Sequence, residues 1–421
     1  MIHSINDEIF RKIVDPINIK EAFFDLIAKF EDDTKTNRYK GVDGLSVSDT
    51  DSSSENIFPA VRQEMLNFNK ISPAYRTFIP KKDGKKRNIH VYSIKERLKA
   101  EAIYRVLFPI FNNYFSDFLF SYRPSHPSYY AARSAVRRYK RYYGNNYVLV
   151  ADISSYADTI NHDILLQKLR SVEIELGIDQ STQKLLELFI KTQTIEDGVL
   201  INKHKGVLTG TPLYVLLSNF YMDAFDKWAG KSVAFYRRVG DDVIAMDKSA
   251  EKIELLQKRL LETTDSLKID LNNKKGRLIR DTEEFKFLGY VFKNGKIGID
   301  QSSVKKIVAK WNKQVLFASK SKNLSKKHKH IRSLVDSKEE RLEMQFSQII
   351  EQKRLVDDTE QIKKLSDTFF IILTSYFTGS YTHKNRRLAN SEMKKTKIKS
   401  LFSHYLTLRH HKKKKYAKNK K

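Results

Sequence analysis

The chain has 421 residues, 40% of them apolar, which is enough for a large core divided over two or three domains. It contains no cysteine, so disulfides and cysteine-ligated zinc are excluded. A net charge of +28 and a pI near 9.7 imply a polyanionic partner, nucleic acid ahead of a membrane surface. The N-terminal stretch MIHSINDEIFRKIVDP carries early acids and no signal-peptide pattern, so a cytoplasmic location is expected.

Residues 1 to about 40 read as helical, with apolar positions at Ile9, Phe10, Ile13, Phe23, Phe24 and Ile27. Residues 41–56 read as a polar loop, and AVRQEMLNF as another helix. Tyr75 to Tyr92 reads as two strands around the turn KKDGKK. A long helical stretch follows, IKERLKAEAIYRVLFPIFNNYF. The run YVLVADI, ending at Asp152, has the apolar character of a buried strand. INHDILLQKLR has helical spacing, as does EKIELLQKRLLETTDSL, with Ile253, Leu256, Leu260 and Leu267 on one face. Two strands are expected around Gly289 in FKFLGYVFKNGKIGID. Beyond Gln301 the chain reads as helical, with charged breaks at SKSKNLSKKHKH and THKNRR. The longest apolar run, Phe369 to Phe377, is too short to span a bilayer, so no membrane partner is expected. Residues 384–421 hold 12 Lys and 3 Arg against the single acid Glu392, half of the net charge, which suits an arm that binds phosphates. No internal repeat is visible. His328, His330, His404, His410 and His411 stand among lysines without a cysteine, a poor setting for zinc.

The stretch FYRRVGDDVI, residues 235–244, places two adjacent aspartates between apolar flanks. A buried carboxylate is costly unless a positive group meets it, and neighbouring like charges resist joint ionisation without a cation. An ordinary Gly-Asp-Asp hairpin turn is the plain alternative. Packed in one sheet beside Asp152, however, Asp241 and Asp242 would supply the hard oxygen ligands that suit Mg²⁺ and a two-metal displacement at phosphorus.

The surroundings decide between the two. KGVDGLSV, then FIPKKDGKKRNIHVYSIKERL with the later SYRP element, YVLVADISSYADTINHDIL, GVLTGTPLYVLLSNFYMDAFD, RRVGDDVIAM, LNNKKGRL and FKFLGYVF follow one another between about residues 41 and 300. Each piece is weak alone. In this order they resemble a bacterial reverse transcriptase with a group II intron-like polymerase core. Among its branches the chain looks most like the defence-associated "unknown group" and abortive-infection reverse transcriptases.

The resemblance implies an α/β right-hand polymerase, with a ferredoxin-like palm and fingers followed by an α-helical thumb and a basic C-terminal region. The implied parts are an N-terminal helical extension and the start of the fingers (1–70), fingers (71–146), palm (147–300, with a finger-associated insertion at about 163–205), thumb (301–383) and basic region (384–421). Carried over by position, Asp152 and Asp241 would coordinate both metals, with Asp242 in support and the Ile153 carbonyl completing one shell. Lys81 and Arg87 would grip the incoming triphosphate, and Lys275, with Lys274 as competitor, would lie near the pyrophosphate. Gly210 and Pro212 would shape the loop under the nascent pair. Phe287, Leu288, Gly289 and Tyr290 would hold the primer end.

Three departures stand out. Val239-Gly240 replaces an aromatic and a small residue before the aspartates. Thr209 replaces a glutamine that contacts the nucleotide. Ala157 stands where the family places a bulky aromatic against the ribose 2′-hydroxyl, with Tyr156 one place earlier expected to point to the other side. No cysteine–histidine endonuclease module and no RNase H carboxylate set follow residue 300.

The implied function is RNA-directed DNA synthesis with two Mg²⁺ per site (Mn²⁺ as the alternative), from deoxynucleoside triphosphates on an RNA template, giving a DNA product. The role expected is bacterial antiphage defence, with a dedicated noncoding RNA or an unusual DNA product, and with a homo-oligomer or partner protein open. The rivals are an intron-type maturase or mobile-element enzyme and a non-catalytic RNA-binding scaffold.

Overall fold

The computed structural model describes residues 7–28, 40–80, 86–272, 276–316, 325–327, 329, 355–380, 382–396, 400–403 and 405–407. Its strands are β1 (Ala74–Pro80), β2 (Lys86–Val91), β3 (Tyr147–Ser154), β4 (Thr194–Glu196), β5 (Val199–Ile201), β6 (Phe235–Val239), β7 (Asp242–Asp247), β8 (Asp270–Leu271), β9 (Arg277–Arg280), β10 (Phe285–Phe287), β11 (Tyr290–Lys293) and β12 (Lys296–Ile299). The chain divides into two units, residues 1–131 with 147–279, and residues 132–146 with 280–421.

The first unit is built on an antiparallel sheet of order β6-β7-β3-β8, with β9 also pairing β3. Helices connect β3 to β6, and the helix Ala250–Ser266 connects β7 to β8. Reading the four strands in chain order, this is the crossed arrangement of a ferredoxin-like sheet. Alternation along β3 buries Val148, Leu149, Ala151 and Ile153, and Ile253, Leu256 and Leu260 of the connecting helix join the same core. The helix Ile94–Tyr114 adds Leu98, Ile103, Leu107 and Phe111. Its first turn is capped by the Ser93 hydroxyl, which accepts from the Glu96 amide at 3.2 Å.

A second sheet of the same unit has the order β2-β1-β4-β5. The β4–β5 hairpin, which the sequence reading did not separate from its surroundings, turns at Asp197-Gly198. Both have positive φ (50° and 83°), the conformation that favours Asp-Gly in two-residue hairpins. Residues 41–56 are not a plain loop. Ser46 and Asp49 form a reciprocal capping box that starts the short helix Val47–Ser52, and the helix Ser54–Leu66 follows directly. In the N-terminal helices Phe24 is 54% exposed, whereas Phe23 is buried.

The second unit contains the sheet β10-β11-β12, three strands where two were expected. The extra turn is Asn294-Gly295, again with both φ positive. Tyr139 is buried with edge-on contacts to Phe285 and Phe292. Asp281 accepts from the amides of Gly144 and Asn146, at 2.9 and 3.1 Å. The helices Gln301–Leu316 and Thr359–Thr378 pack through Trp311 and Phe369, with ring centroids 4.6 Å apart. Strand β12 meets the start of the second helix. The Ile297 amide donates to Asp357 Oδ1 at 2.7 Å, and its carbonyl accepts from the Asp357 and Asp358 amides. Gln361 bonds both the amide and the carbonyl of Ile299, at 2.5 and 2.7 Å. The THKNRR run is not a break: Gly379 ends one helix, and residues from His383 begin the next. Residues 317–324 and most of the other basic stretches lie outside the described set, as do all five histidines considered for zinc.

Candidate active site

The aspartate pair sits at the tip of the β6–β7 hairpin. Val239 and Asp242 are its last paired residues, so Gly240 and Asp241 form a two-residue turn. Gly240 has φ +63°, and Asp241 is not among the positive-φ residues. That sign pattern is the type II′ turn, which favours Gly at its first central position. Phe235, Tyr236 and Arg238 of β6 and Val243 to Asp247 of β7 are buried, but Asp241 is exposed and Asp242 half-buried. The two charges therefore stand at a solvated tip and not inside the hairpin.

Asp242 is directly opposite Asp152 in the β3–β7 register. Directly opposed side chains share one face of a sheet, with Cβ atoms about 4.5–5.5 Å apart. The Ile153 amide donates to the Asp241 carbonyl at 3.0 Å, which ties the turn to β3. On the other side of β3, Asn272 donates its amide to the Asp152 carbonyl (2.8 Å) and its side-chain Nδ2 to Asp152 Oδ2 (3.1 Å). Among the described residues no three His, Asp or Glu side chains converge as a ready-made ion cage. The donor set, the adjacent carboxylates of Asp241 and Asp242 with Asp152 across the sheet, is nonetheless the hard-oxygen chemistry a divalent cation such as Mg²⁺ accepts.

Beneath the tip lies a buried ionic network. Arg238 and Asp226 are both fully buried, with Nη2 2.6 Å and Nε 2.9 and 3.0 Å from the carboxylate. The same guanidinium donates to the Asn219 carbonyl and the Gly240 carbonyl, each at 3.0 Å. Tyr236 gives its hydroxyl proton to Asp226 at 2.7 Å. Burial works against the Arg238 charge, but Asp226 more than restores it and holds the guanidinium protonated.

The glycine-rich loop docks on β2. Gly210 has φ +104°, and a Cβ there would stand 2.2 Å from the His90 carbonyl oxygen, so only glycine fits. Thr209 Oγ1 lies 3.1 Å from His90 Nδ1. His90 is buried, and burial pushes its imidazole down to about 4. Pro212 precedes the helix Leu213–Tyr221. The loop is also pinned to the segment after β3, where the Val207 amide donates to the Ala157 carbonyl at 2.9 Å and Gly206 to Ile160 at 2.7 Å. Tyr156 is buried and donates its hydroxyl to the Ser218 carbonyl at 2.6 Å. It faces the core, while Ala157 is half-buried.

The first unit thus brings Asp152, Ile153, Asp241, Asp242, Ala157, Thr209 and Gly210 onto one sheet and its loops. Lys81, Lys274 and Lys275 lie outside the described residues; Arg87 is in β2, with its backbone opposite Ile79. Phe287, Leu288, Gly289 and Tyr290 belong to the second unit. They form a tight β10–β11 turn with Leu288 at φ +49° and Gly289 at +76°, and Phe287 and Tyr290 are buried. Asn272, Arg238, Asp226, Ser121 and His90 were not singled out from sequence. Only Arg238 had a visible signal, as a cation three residues before the aspartate pair.

A ferredoxin-like sheet that presents aspartates at a hairpin tip, beside a glycine-hinged loop, is the architecture of a right-hand polymerase. The chain belongs to the reverse transcriptase (RNA-dependent DNA polymerase) family, whose model matches residues 79–292, just over half of its length. It is 25% identical to protein YkfC of Escherichia coli over 289 residues, covering 59% of this chain and 74% of that protein. It is 27% identical over 158 residues to the group II intron-encoded protein LtrA of Lactococcus lactis, covering 37% of this chain and 25% of LtrA. Over 225 residues it is 25% identical to a putative COX1/OXI3 intron 2 protein of Saccharomyces cerevisiae, 53% of this chain and 25% of that protein. Among solved structures, apo telomerase from Candida tropicalis aligns with a TM-score of 0.45 at 12% identity, over 77% of this chain and 65% of that one. Telomerase from Candida albicans aligns with 0.43 at 11%, over 78% and 64%. The chain therefore spans three quarters of YkfC, a quarter of each intron protein and just under two thirds of the telomerase chains. Among the described residues no helix is long and apolar enough to cross a membrane.

Proposed function

We propose that the aspartate tip is the polymerising centre and that the chain copies an RNA template into DNA from deoxynucleoside triphosphates. The observation that carries this reading is the β3–β7 register, which sets Asp152 opposite Asp242 and beside Asp241 at an accessible edge. Asp152 and Asp241, with the Ile153 carbonyl and Asp242 in support, would hold two Mg²⁺, which supply activation of the attacking hydroxyl and neutralisation of the departing pyrophosphate. Asn272 orients the Asp152 carboxylate through its Nδ2. Ala157, Thr209 and Gly210 shape the nucleotide pocket. Lys81, Arg87 and Lys275 bind the triphosphate by charge-assisted bonds, and the Phe287–Tyr290 turn holds the primer end. In this assignment residues 71–146 act as fingers, 147–300 as palm, 301–383 as thumb and 384–421 as a phosphate-binding arm.

The biological role in this reading is cytoplasmic antiphage defence with a dedicated noncoding RNA. The departures at Ala157 and Thr209 support it, since both alter the nucleotide pocket. Similarity to intron-encoded proteins favours a second reading, a maturase or mobile-element enzyme. Primer extension on an RNA template tests the chemistry. The double variant Asp241→Ala, Asp242→Ala is expected to fold with an unchanged circular-dichroism spectrum and to make no DNA. Synthesis retained in that variant would refute the site, and no synthesis by the wild type would leave an RNA-binding scaffold. Sequencing the nucleic acid that copurifies separates the two roles: one recurrent noncoding RNA supports defence, and intron RNA supports the second.

A further inference from the structure

In the turn that carries Asp241, both the amide and the carbonyl of Gly240 are held. The segment 118–121 lies along β6: Phe120 donates to the Arg238 carbonyl at 2.8 Å, the Arg238 amide donates to Phe118 at 3.1 Å, and Leu119 forms a parallel bridge with Arg238. This delivers the buried Ser121 to the turn, where its hydroxyl oxygen accepts from the Gly240 amide. The segment is itself fastened by Arg123, whose buried guanidinium bonds the carbonyls of Asn112, Ser116 and Leu119 and the Asn112 side chain. From the opposite side Arg238 Nη1 donates to the Gly240 carbonyl.

These two bonds choose between two turn types. Types I′ and II′ are related by a flip of the central peptide, here Gly240–Asp241. The flip reverses the Gly240 carbonyl and the Asp241 amide and changes the sign of φ at Asp241, putting a non-glycine residue into the left-handed region. The Gly240 carbonyl belongs to that central peptide. Arg238, fixed by Asp226 and the Asn219 carbonyl, holds it in the II′ state, and Ser121 holds the preceding peptide.

We propose that Ser121 and Arg238 are positioning residues that lock the Gly240–Asp241 peptide in one flip state and thereby hold the turn, and with it the Asp241 carboxylate, in place for divalent-cation binding. This rests on the reading of Asp241 as a metal ligand, and it adds the device that holds the tip rigid.

The test uses Ser121→Ala, which removes one hydroxyl from a small buried residue. Arg238→Lys accompanies it, keeping the charge beside Asp226 but unable to reach two carbonyls at once. Mn²⁺ binding to the whole chain, without nucleotide, is read by electron paramagnetic resonance, with melting temperature alongside. Loss of one such hydrogen bond is worth roughly a three- to tenfold weakening of Mn²⁺ binding. The expected result is that weakening in Ser121→Ala with little change in melting temperature, and KM for the nucleotide unchanged at saturating metal. Arg238→Lys, where it folds, shows the same direction. Unchanged Mn²⁺ binding in Ser121→Ala, with binding lost in Asp241→Ala, overturns the clamp and leaves the site reading intact. Binding retained in Asp241→Ala overturns both.

Discussion

At residue 157 a methyl group stands beside the loop that carries Thr209, and the neighbouring ring is accounted for. Tyr156 is buried, its hydroxyl committed to the Ser218 carbonyl, with the Arg238 guanidinium 5.9 Å from its ring centroid. Turning that ring toward a nucleotide would break a buried hydrogen bond, worth roughly 0.5–1.5 kcal/mol net, and open a void in the core. No ring from Tyr156 therefore substitutes for the missing aromatic. A site that merely has room for a hydroxyl discriminates against it weakly, by a factor of roughly a hundred or less. We expect wild-type protein to incorporate ribonucleotides within about that factor of deoxynucleotides, and Ala157→Phe to widen the gap. Matched single-nucleotide extensions measure it; a wild type as selective as the Phe variant would show that another group guards the ribose.

The loop 206–212 and strand β2 meet through His90, and their junction is sensitive to acid. His90 titrates at about 4 because burial disfavours its cation, with Lys203 adding to the effect and Glu196 opposing it. In the unfolded chain an imidazole takes its proton near 6.5. Between those values the unfolded state binds a proton that the folded state refuses, so stability is full above pH 6.5 and falls as the pH drops toward 4. Denaturation midpoints at pH 7.5 and 5 should therefore drop more for wild type than for His90→Gln, and equal drops would place the titrating group elsewhere. This contact was illegible in the sequence because it joins residues 119 positions apart. The same holds for Asn272 on Asp152, 120 positions apart, and for Ser121 under Gly240. What was legible had local causes. The apolar run of β3, the long amphipathic helices and the Gly-Asp-Asp turn each follow from neighbouring residues. Two turns were present in the sequence and overlooked, Asp197-Gly198 and Asn294-Gly295. Their flanking strands are only three or four residues long, too short for a clear alternation. The helix Val47–Ser52 was hidden because its Ser and Asp residues, common in loops, act there as caps.

Across the whole chain the charge is unevenly spread, and the described part of the second unit shows how a basic surface is carried. Lys305, Lys306, Lys310 and Lys313 are exposed along one helix, while Trp311 beneath them is fully buried. The sheet of that unit has a different exposure. Strand β12 is an edge, and among the described residues its outward amides and carbonyls at Ile297 and Ile299 are met by Asp357, Asp358 and Gln361. Those partners lie 60 to 62 residues further along. A ribosome adding about 5–20 residues per second needs several seconds to cover that interval. During it the nascent chain offers an open strand edge, a template on which a second chain can pair. Gln361→Ala should extend that interval into the finished protein. The expected outcome is more pelleted material in cell-free synthesis, rising with template concentration, with the soluble fraction still able to extend a primer. A pellet no larger than that of wild type would mean that the edge is guarded by other means. The glutamine at the start of a helix thus closes late in synthesis what the strand leaves open early.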